Sequence, residues 1–288
     1  MARRTFSRAP RVAAFACCLF AVAALAGAPS SSSSAPGWKL AVQAYTFNHF
    51  TFFEAIEKAK AAGVELIEAY PGQMLSKEDK VPFDHNAPLS VLAKTKLKLE
   101  KEGVRLVNYG VVGLSRDEKE DRKVFDFAKV MGIETIVAEP SRDAFDLLDR
   151  LTEEYGINVA LHNHPKPSPY WSPDIVLEAV KGHSKRIGSC ADIGHWMRSG
   201  IEPLEAVKKL EGRIISSHFK DLNEMGSGGY DMVWGTGKGK VKEVLTELHR
   251  QGFHGVFSIE YEHNWDNSLP DVTACARFFQ ATTAELAK

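Results

Sequence analysis

The sequence predicts a single-domain (β/α)8 TIM barrel over residues 38–288, and three observations carry that expectation. From Trp38 onward, strand-like and helix-like segments alternate without a break, which implies parallel strands joined by crossover helices. There are eight such units, the number that closes a barrel in a chain of this length. Five of the apolar segments also stop on a residue that binds metals or moves protons: Glu139, His162, Asp192, His218 and Glu260. A parallel barrel gathers its strand ends at one rim, where such side chains can surround one ion.

Each element has its own justification. Residues 39–45 read as the first strand and 52–62 as a helix stopped by Gly63. Strands at 65–70, 105–111 and 135–139 follow, separated by helices at 89–102 and 116–131 that stop on Gly103 and Gly132. A helix at 144–155 stops on Gly156, and the remaining strands fall at 158–162, 187–192, 214–218 and 256–260. Their helices read 173–180, 203–210, 241–251 and 269–286. A glycine after a helix supplies the left-handed cap, and β-branched residues resume the strand within a few positions. No Gly-x-Gly-x-x-Gly follows the first strand, which argues against an open, doubly wound dinucleotide fold. Loops 72–87, 166–172 and 222–240, all at C-terminal strand ends, are long and irregular, as where a barrel builds its site.

The first residues stand apart from this pattern. Arg3, Arg4, Arg8 and Arg11 precede an apolar stretch, and Ala24-Leu-Ala26 and Ala26-Gly-Ala28 fit a small-x-small cleavage pattern. A signal peptide is expected over residues 1–28 and a Ser/Pro-rich linker over 29–37. The apolar stretch is short for a span of ~20 residues, so no stable membrane span is expected after cleavage. Arg3-Arg4-Thr5-Phe6 resembles a twin-arginine signal, pointing to the periplasm or the extracellular space. The formal net charge is −1, and loss of a leader with arginines and no acid makes the remainder about four units more acidic. Such a chain is a poor polyanion binder, so no nucleic-acid partner is expected. Beyond the leader only Cys190 and Cys275 remain, both in core-like segments, and two buried thiols are expected. A homo-oligomer is compatible with the sequence.

Period-two alternation sets His162 and His164 on one side of their strand and Asn163 on the other. With Asp192, His218 and Glu260 they make a mixed imidazole and carboxylate set suited to Mn2+, Zn2+, Co2+, Fe2+ or Mg2+. Carboxylates also act as general bases, so Glu260 and Glu139 are candidates for either role. His195 follows Asp192 by one turn and can face the same pocket. Lys220 shares a face with His218, where its ammonium can bind a substrate oxygen or stabilise an enolate. Tyr45, Phe47, Tyr70, Tyr109, Trp171, Trp196 and Trp234 sit at strand ends and in rim loops, where aromatic rings can stack on sugars. Trp171, Trp196, Trp234 and Asn108 are taken as candidate substrate contacts.

The motifs Leu161-His-Asn-His-Pro165, Asp192-Ile-Gly-His195, His218-Phe-Lys-Asp221, Gly235-Thr-Gly237 and Ile259-Glu260 carry a resemblance. The chain resembles the xylose isomerase-like superfamily of sugar isomerases and epimerases, which includes tagatose epimerase-like and inosose dehydratase-like enzymes. The resemblance covers essentially all of residues 38–288. It implies a divalent ion held by Asp192, His218 and Glu260 with a fourth ligand from strand five. The epimerases carry a glutamate there, whereas this chain carries His162. Glu139 on the preceding strand is the candidate replacement, and the choice between His162 and His164 as ligand stays open.

The implied partner is a small-molecule sugar or keto-sugar. A divalent ion chelated by its carbonyl and adjacent hydroxyl acidifies the neighbouring C–H and stabilises an enediolate. Glu260, Glu139 or a free histidine such as His164 then removes the proton. Reprotonation elsewhere gives isomerisation or epimerisation, the first reading. Loss of a β-substituent gives a lyase or hydratase on keto-sugars or 3-keto-glycosides, and a non-catalytic carbohydrate-binding barrel is the third. An apurinic endonuclease of the same fold needs histidines on strands two and three, where this chain has Glu68 and Asn108. No dedicated phosphate loop is visible, although Gly235, Gly237 and Gly239 leave one open.

Overall fold

The structure, a computed structural model, describes Met1, Ala2 and residues 38–288. Apart from Met1 and Ala2, the expected signal peptide and linker lie outside the described residues. Within residues 38–288, eight parallel strands close a barrel. They are β1 (Lys39–Gln43), β2 (Leu66–Ala69), β3 (Arg105–Val112) and β4 (Thr135–Ala138), then β5 (Asn158–His162), β6 (Ile187–Cys190), β7 (Ile214–Phe219) and β8 (Val256–Ile259). Neighbours in the ring are neighbours in sequence, and β8 closes on β1 with Lys39 opposite Val256.

The helices are α1 (Phe52–Ala61), α2 (Leu89–Glu102), α3 (Glu118–Met131), α4 (Phe145–Tyr155), α5 (Pro173–Ala179), α6 (Ile193–Arg198), α7 (Pro203–Lys209), α8 (Val241–Arg250) and α9 (Leu269–Leu286). Thr51 and Glu54 form a reciprocal capping box at the start of α1. Gly103, Gly132 and Gly156 end α2, α3 and α4 with positive φ, as the sequence pattern requires. Several strands end slightly before the expected residue. Asp192 leaves the ladder because it caps α6, its Oδ1 accepting the His195 N–H at 2.7 Å.

The expected barrel is therefore present, with additions at the rim. Helix α6 is not anticipated by the sequence pattern, nor are two small hairpins, Gln73–Met74 with Pro82–Phe83 and Asp221–Leu222 with Asp231–Met232. All lie at C-terminal strand ends. The core runs between barrel and helices, with Ile56, Leu148, Leu151, Val244 and Phe257 inaccessible to solvent. Cys190 and Cys275 are both buried and free. Among the described residues no helix is long and apolar enough to cross a membrane.

One further buried carboxylate stands in the first turn of α3. Asp121 of α3 is buried and accepts the Ser115 N–H at 3.1 and 3.2 Å. Burial pushes its pKa up to about 6, with Asp117 adding to the rise and the Ser115 amide opposing it. The folded-state pKa thus lies above the unfolded one. The stability contributed by this group is fully present below about pH 4 and is lost as the pH climbs through about 6. Asp121→Asn is expected to flatten that part of the profile, by at most ~3 kcal/mol, in urea unfolding measured from pH 4 to 8.

Candidate metal centre

The ends of β5 to β8 bring four side chains together. One ligand atom each from His162, Asp192, His218 and Glu260 lies within 4.8 Å of the other three, and all four residues are buried. His218 Nδ1 is 3.0 Å from Glu260 Oε2, and His162 Nε2 is 3.5 Å from Asp192 Oδ2. His162 Nε2 and His218 Nδ1 have no hydrogen-bond partner although solvent cannot reach them. Unpartnered buried acceptors are costly unless something else takes their lone pairs. Two imidazoles and two carboxylates form a donor set for a divalent transition ion, and the residues fit one.

Lys220 governs the charge of this cluster. Its side chain is fully buried, and its ammonium lies 2.9 Å from Asp192 Oδ2, 2.7 Å from Glu260 Oε2 and 3.5 Å from Glu262 Oε2. Burial opposes charge on all these groups, yet the mutual attraction wins. Lys220 holds its proton far above the usual lysine range, while it and the neighbouring histidines hold Asp192 and Glu260 below the usual carboxylate range. Asp192, Glu260 and Glu262 thus face one ammonium, which leaves the cluster negative and suited to a cation. Gly194 makes room for the lysine. A Cβ at that position would stand 2.7 Å from Lys220 Cβ and 2.9 Å from Cδ, so α6 can pack over the stem only as glycine.

Glu68, at the end of β2, reads in the sequence only as a mismatch to an endonuclease histidine. In the structure it is buried, and its Oε1 lies 2.7 Å from His218 Nε2. Gln43 Nε2 donates to the same oxygen at 3.0 Å, while Ser258 Oγ and Asn108 Nδ2 donate to Oε2 at 2.6 and 3.2 Å. A carboxylate on Nε2 keeps the proton there and turns the Nδ1 lone pair toward Asp192 and Glu260. A signal for it exists, since Leu66-Ile-Glu-Ala69 is one more short apolar strand that carries an acid near its end. Arg198 is a second residue that the motifs do not single out. It bonds Glu262 Oε2 at 2.9 Å and Asp231 Oδ2 at 2.8 Å, and stands 3.0 Å from His195 Nδ1.

The other expected residues divide. Glu139 is not a member of the four-residue cluster. It groups with His162 and His164, its Oε1 lying 2.6 Å from His164 Nδ1. His195 points Nε2 at Asp192 Oδ2 from 3.5 Å but is almost fully buried, and burial depresses its pKa. Three expectations are corrected. Lys220 does not reach out to grip a substrate oxygen, because its ammonium is buried and engaged by carboxylates. Trp196 and Trp234 belong to the core, the latter packed on Phe219 with ring centroids 5.0 Å apart, so neither offers a face to a sugar. Asn108 is fully buried and its Nδ2 donates to Glu68.

Among the rim aromatics, Phe47 and Tyr109 are also buried. Trp171 lies in a separate groove of about 290 Å³ beside Ile201, Glu205 and Lys209. Tyr45 and Tyr70 meet edge-to-face at 5.2 Å, and Tyr45 also meets Trp265, a ring that no motif marks. The glycine-rich loop is already filled. Gly235 and Gly237 donate their amides to Asp221 Oδ2 at 2.9 Å, and Gly239 donates to Oδ1 at 2.8 Å. Those amides face the protein's own carboxylate.

Known proteins share both the fold and parts of the sequence. Residues 56–280 match the family model described as xylose isomerase-like TIM barrel. A solved structure of an uncharacterized protein from Parabacteroides distasonis is 32% identical, covers 85% of this chain and 99% of its own, and superposes with a TM-score of 0.70. Inosose dehydratase from Bacillus thuringiensis is 28% identical over 137 residues, which is 42% of this chain and 46% of that protein. The match thus spans about half the length of that relative. A structure of the IolI protein with a zinc atom bound is 20% identical, covers 86% of this chain and 98% of its own, with a TM-score of 0.62, a likeness of fold.

Two outcomes are expected from this site. Glu68→Gln keeps the side-chain volume but removes the charge behind His218, and is expected to weaken zinc binding about 10- to 100-fold by calorimetric titration. Gly194→Ala is expected to cost about 1–3 kcal/mol in urea unfolding, because the new methyl meets a lysine stem that has no free direction to move.

Proposed function

This chain belongs to the xylose isomerase-like TIM-barrel family, and from that premise we propose that it is a divalent-metal-dependent sugar isomerase or epimerase. The observation that carries the reading is the convergence of Asp192, His218 and Glu260, with His162 beside them, at the ends of successive strands. A bound divalent ion supplies Lewis acidity, polarising a sugar carbonyl and lowering the pKa of the adjacent C–H. The chain does the rest. Asp192 and His218 orient the donor set, Glu68 fixes the His218 ring, and Lys220 keeps Asp192 and Glu260 ionised. Glu260 then takes the proton next to the carbonyl and returns it to the neighbouring carbon. Tyr45, Tyr70 and Trp265 give the substrate aromatic faces at the mouth.

A second reading, dehydration of a keto-sugar, is favoured by the likeness to inosose dehydratase and by His162 standing where the resemblance to the epimerases implies a glutamate. We also propose export through a cleaved leader over residues 1–28, which would restrict substrates to unphosphorylated sugars outside the cytoplasm.

Zinc-loaded protein incubated with aldoses, ketoses and keto-sugars in D2O, followed by NMR, tests the reaction. Isomerisation places deuterium at the carbon next to the carbonyl and yields a new sugar, and Glu260→Gln is expected to slow it at least 100-fold. Release of water or aglycone selects the second reading. No exchange with any of these substrates would sink both.

A further inference from the structure

The geometry points to a second divalent-cation position, on the open side of the first, held by Glu139, His162 and His164. Three atoms define it. Glu139 Oε1 is 2.6 Å from His164 Nδ1 and 3.9 Å from His162 Nδ1, and the two ring nitrogens are 3.3 Å apart. The point equidistant from three atoms so spaced lies roughly 2 Å from each, the length of a zinc–nitrogen or zinc–oxygen bond. Protons serve this triangle poorly. A proton on each ring nitrogen would set two N–H groups against one another across 3.3 Å, so a single His164 proton must serve both contacts. One cation takes all three lone pairs.

The proton accounting closes without any net transfer. His162 Nε2 stands 3.5 Å from Asp192 Oδ2, and with the proton on that nitrogen the neutral ring leaves the inner donor set and offers Nδ1 outward. His164 as the Nε2–H tautomer offers Nδ1 in the same way. The inner position then keeps Asp192, His218 and Glu260, three protein ligands with places left for substrate, the usual form of a catalytic centre. Ser168 Oγ donates to Glu139 Oε1 at 2.9 Å and steadies the outer carboxylate. The side chains of Glu139 and His164 are 21% and 46% exposed, whereas that of Asp192 is 0% exposed. The outer ion therefore faces the mouth, where it would hold a second oxygen of a polyhydroxy substrate. This goes beyond the proposed reaction, which needs the inner ion alone.

Zinc titration of the full chain, followed by calorimetry and elemental analysis, tests the position with Zn2+ as the only probe. Two ions per chain are expected. His164→Ala and Glu139→Gln are each expected to retain one, and Asp192→Ala to retain the other, with thermal melts showing each variant folded. One ion in the wild type that both outer variants keep overturns the inference and leaves the proposed function standing. Two ions in both outer variants also overturns it, since the second is then bound elsewhere. A single ion lost from His164→Ala but kept by Asp192→Ala supports the outer position and removes the inner centre on which the proposed reaction rests.

Discussion

A buried ammonium with no access to water organises this rim. Lys220 reaches Asp192 at the end of β6 and Glu260 at the end of β8 from its own place after β7, so one side chain ties together three consecutive strand ends. Burying a charge is expensive, and removing one partner of such a group typically costs about 3–5 kcal/mol because the other is left unpaired. The arrangement survives because every member is compensated. The ammonium meets carboxylates, the carboxylates meet the ammonium and imidazoles, and Gly194 leaves the lysine stem a channel. Position and charge of the ligand set are thus established before any ion or substrate arrives.

Around this centre the supports are arranged by strand. Glu68 reaches His218 from β2 across the barrel interior, itself held by Gln43, Ser258 and Asn108 from β1, β8 and β3. On the loop side, Arg198 links α6 to Glu262 and to Asp231 of the small hairpin. Asp221 gathers the glycine loop through three amides. The backbone there comes so close that a Cβ on Gly237 would sit 2.4 Å from Asp221 Oδ1.

Much of this is legible in the chain itself. Strand and helix alternation, with glycines at the helix ends, is a local signal, and all eight strands fall where it puts them to within two residues at either end. The cluster at the ends of β5 to β8 is legible for the same reason, since an apolar run stops on His, Asp or Glu at strand after strand. Partnership across the barrel is not legible. Glu68 and His218 are 150 residues apart in sequence, and nothing local says that one orients the other. Trp196 and Trp234 mislead because a position near a strand end does not reveal which way a ring turns, and both turn inward to core neighbours. Lys220 misleads similarly. A lysine beside a histidine suggests a hand extended to substrate, and only the packing of α6 closes that route.

Asn163 joins two strands beyond the reach of their backbones. Its side-chain amide donates to the Asp192 carbonyl at 2.8 Å and its Oδ1 accepts the Asp192 N–H at 2.9 Å, continuing the β5–β6 pairing past the point where the ladder stops. This clasp pins the backbone of Asp192 independently of what stands at 162 and 164. Strand five can then exchange its chemistry on either side of the clasp while strand six stays in register. Such modularity marks positions 162 and 164 as the natural place to engineer new reactivity without rebuilding the scaffold.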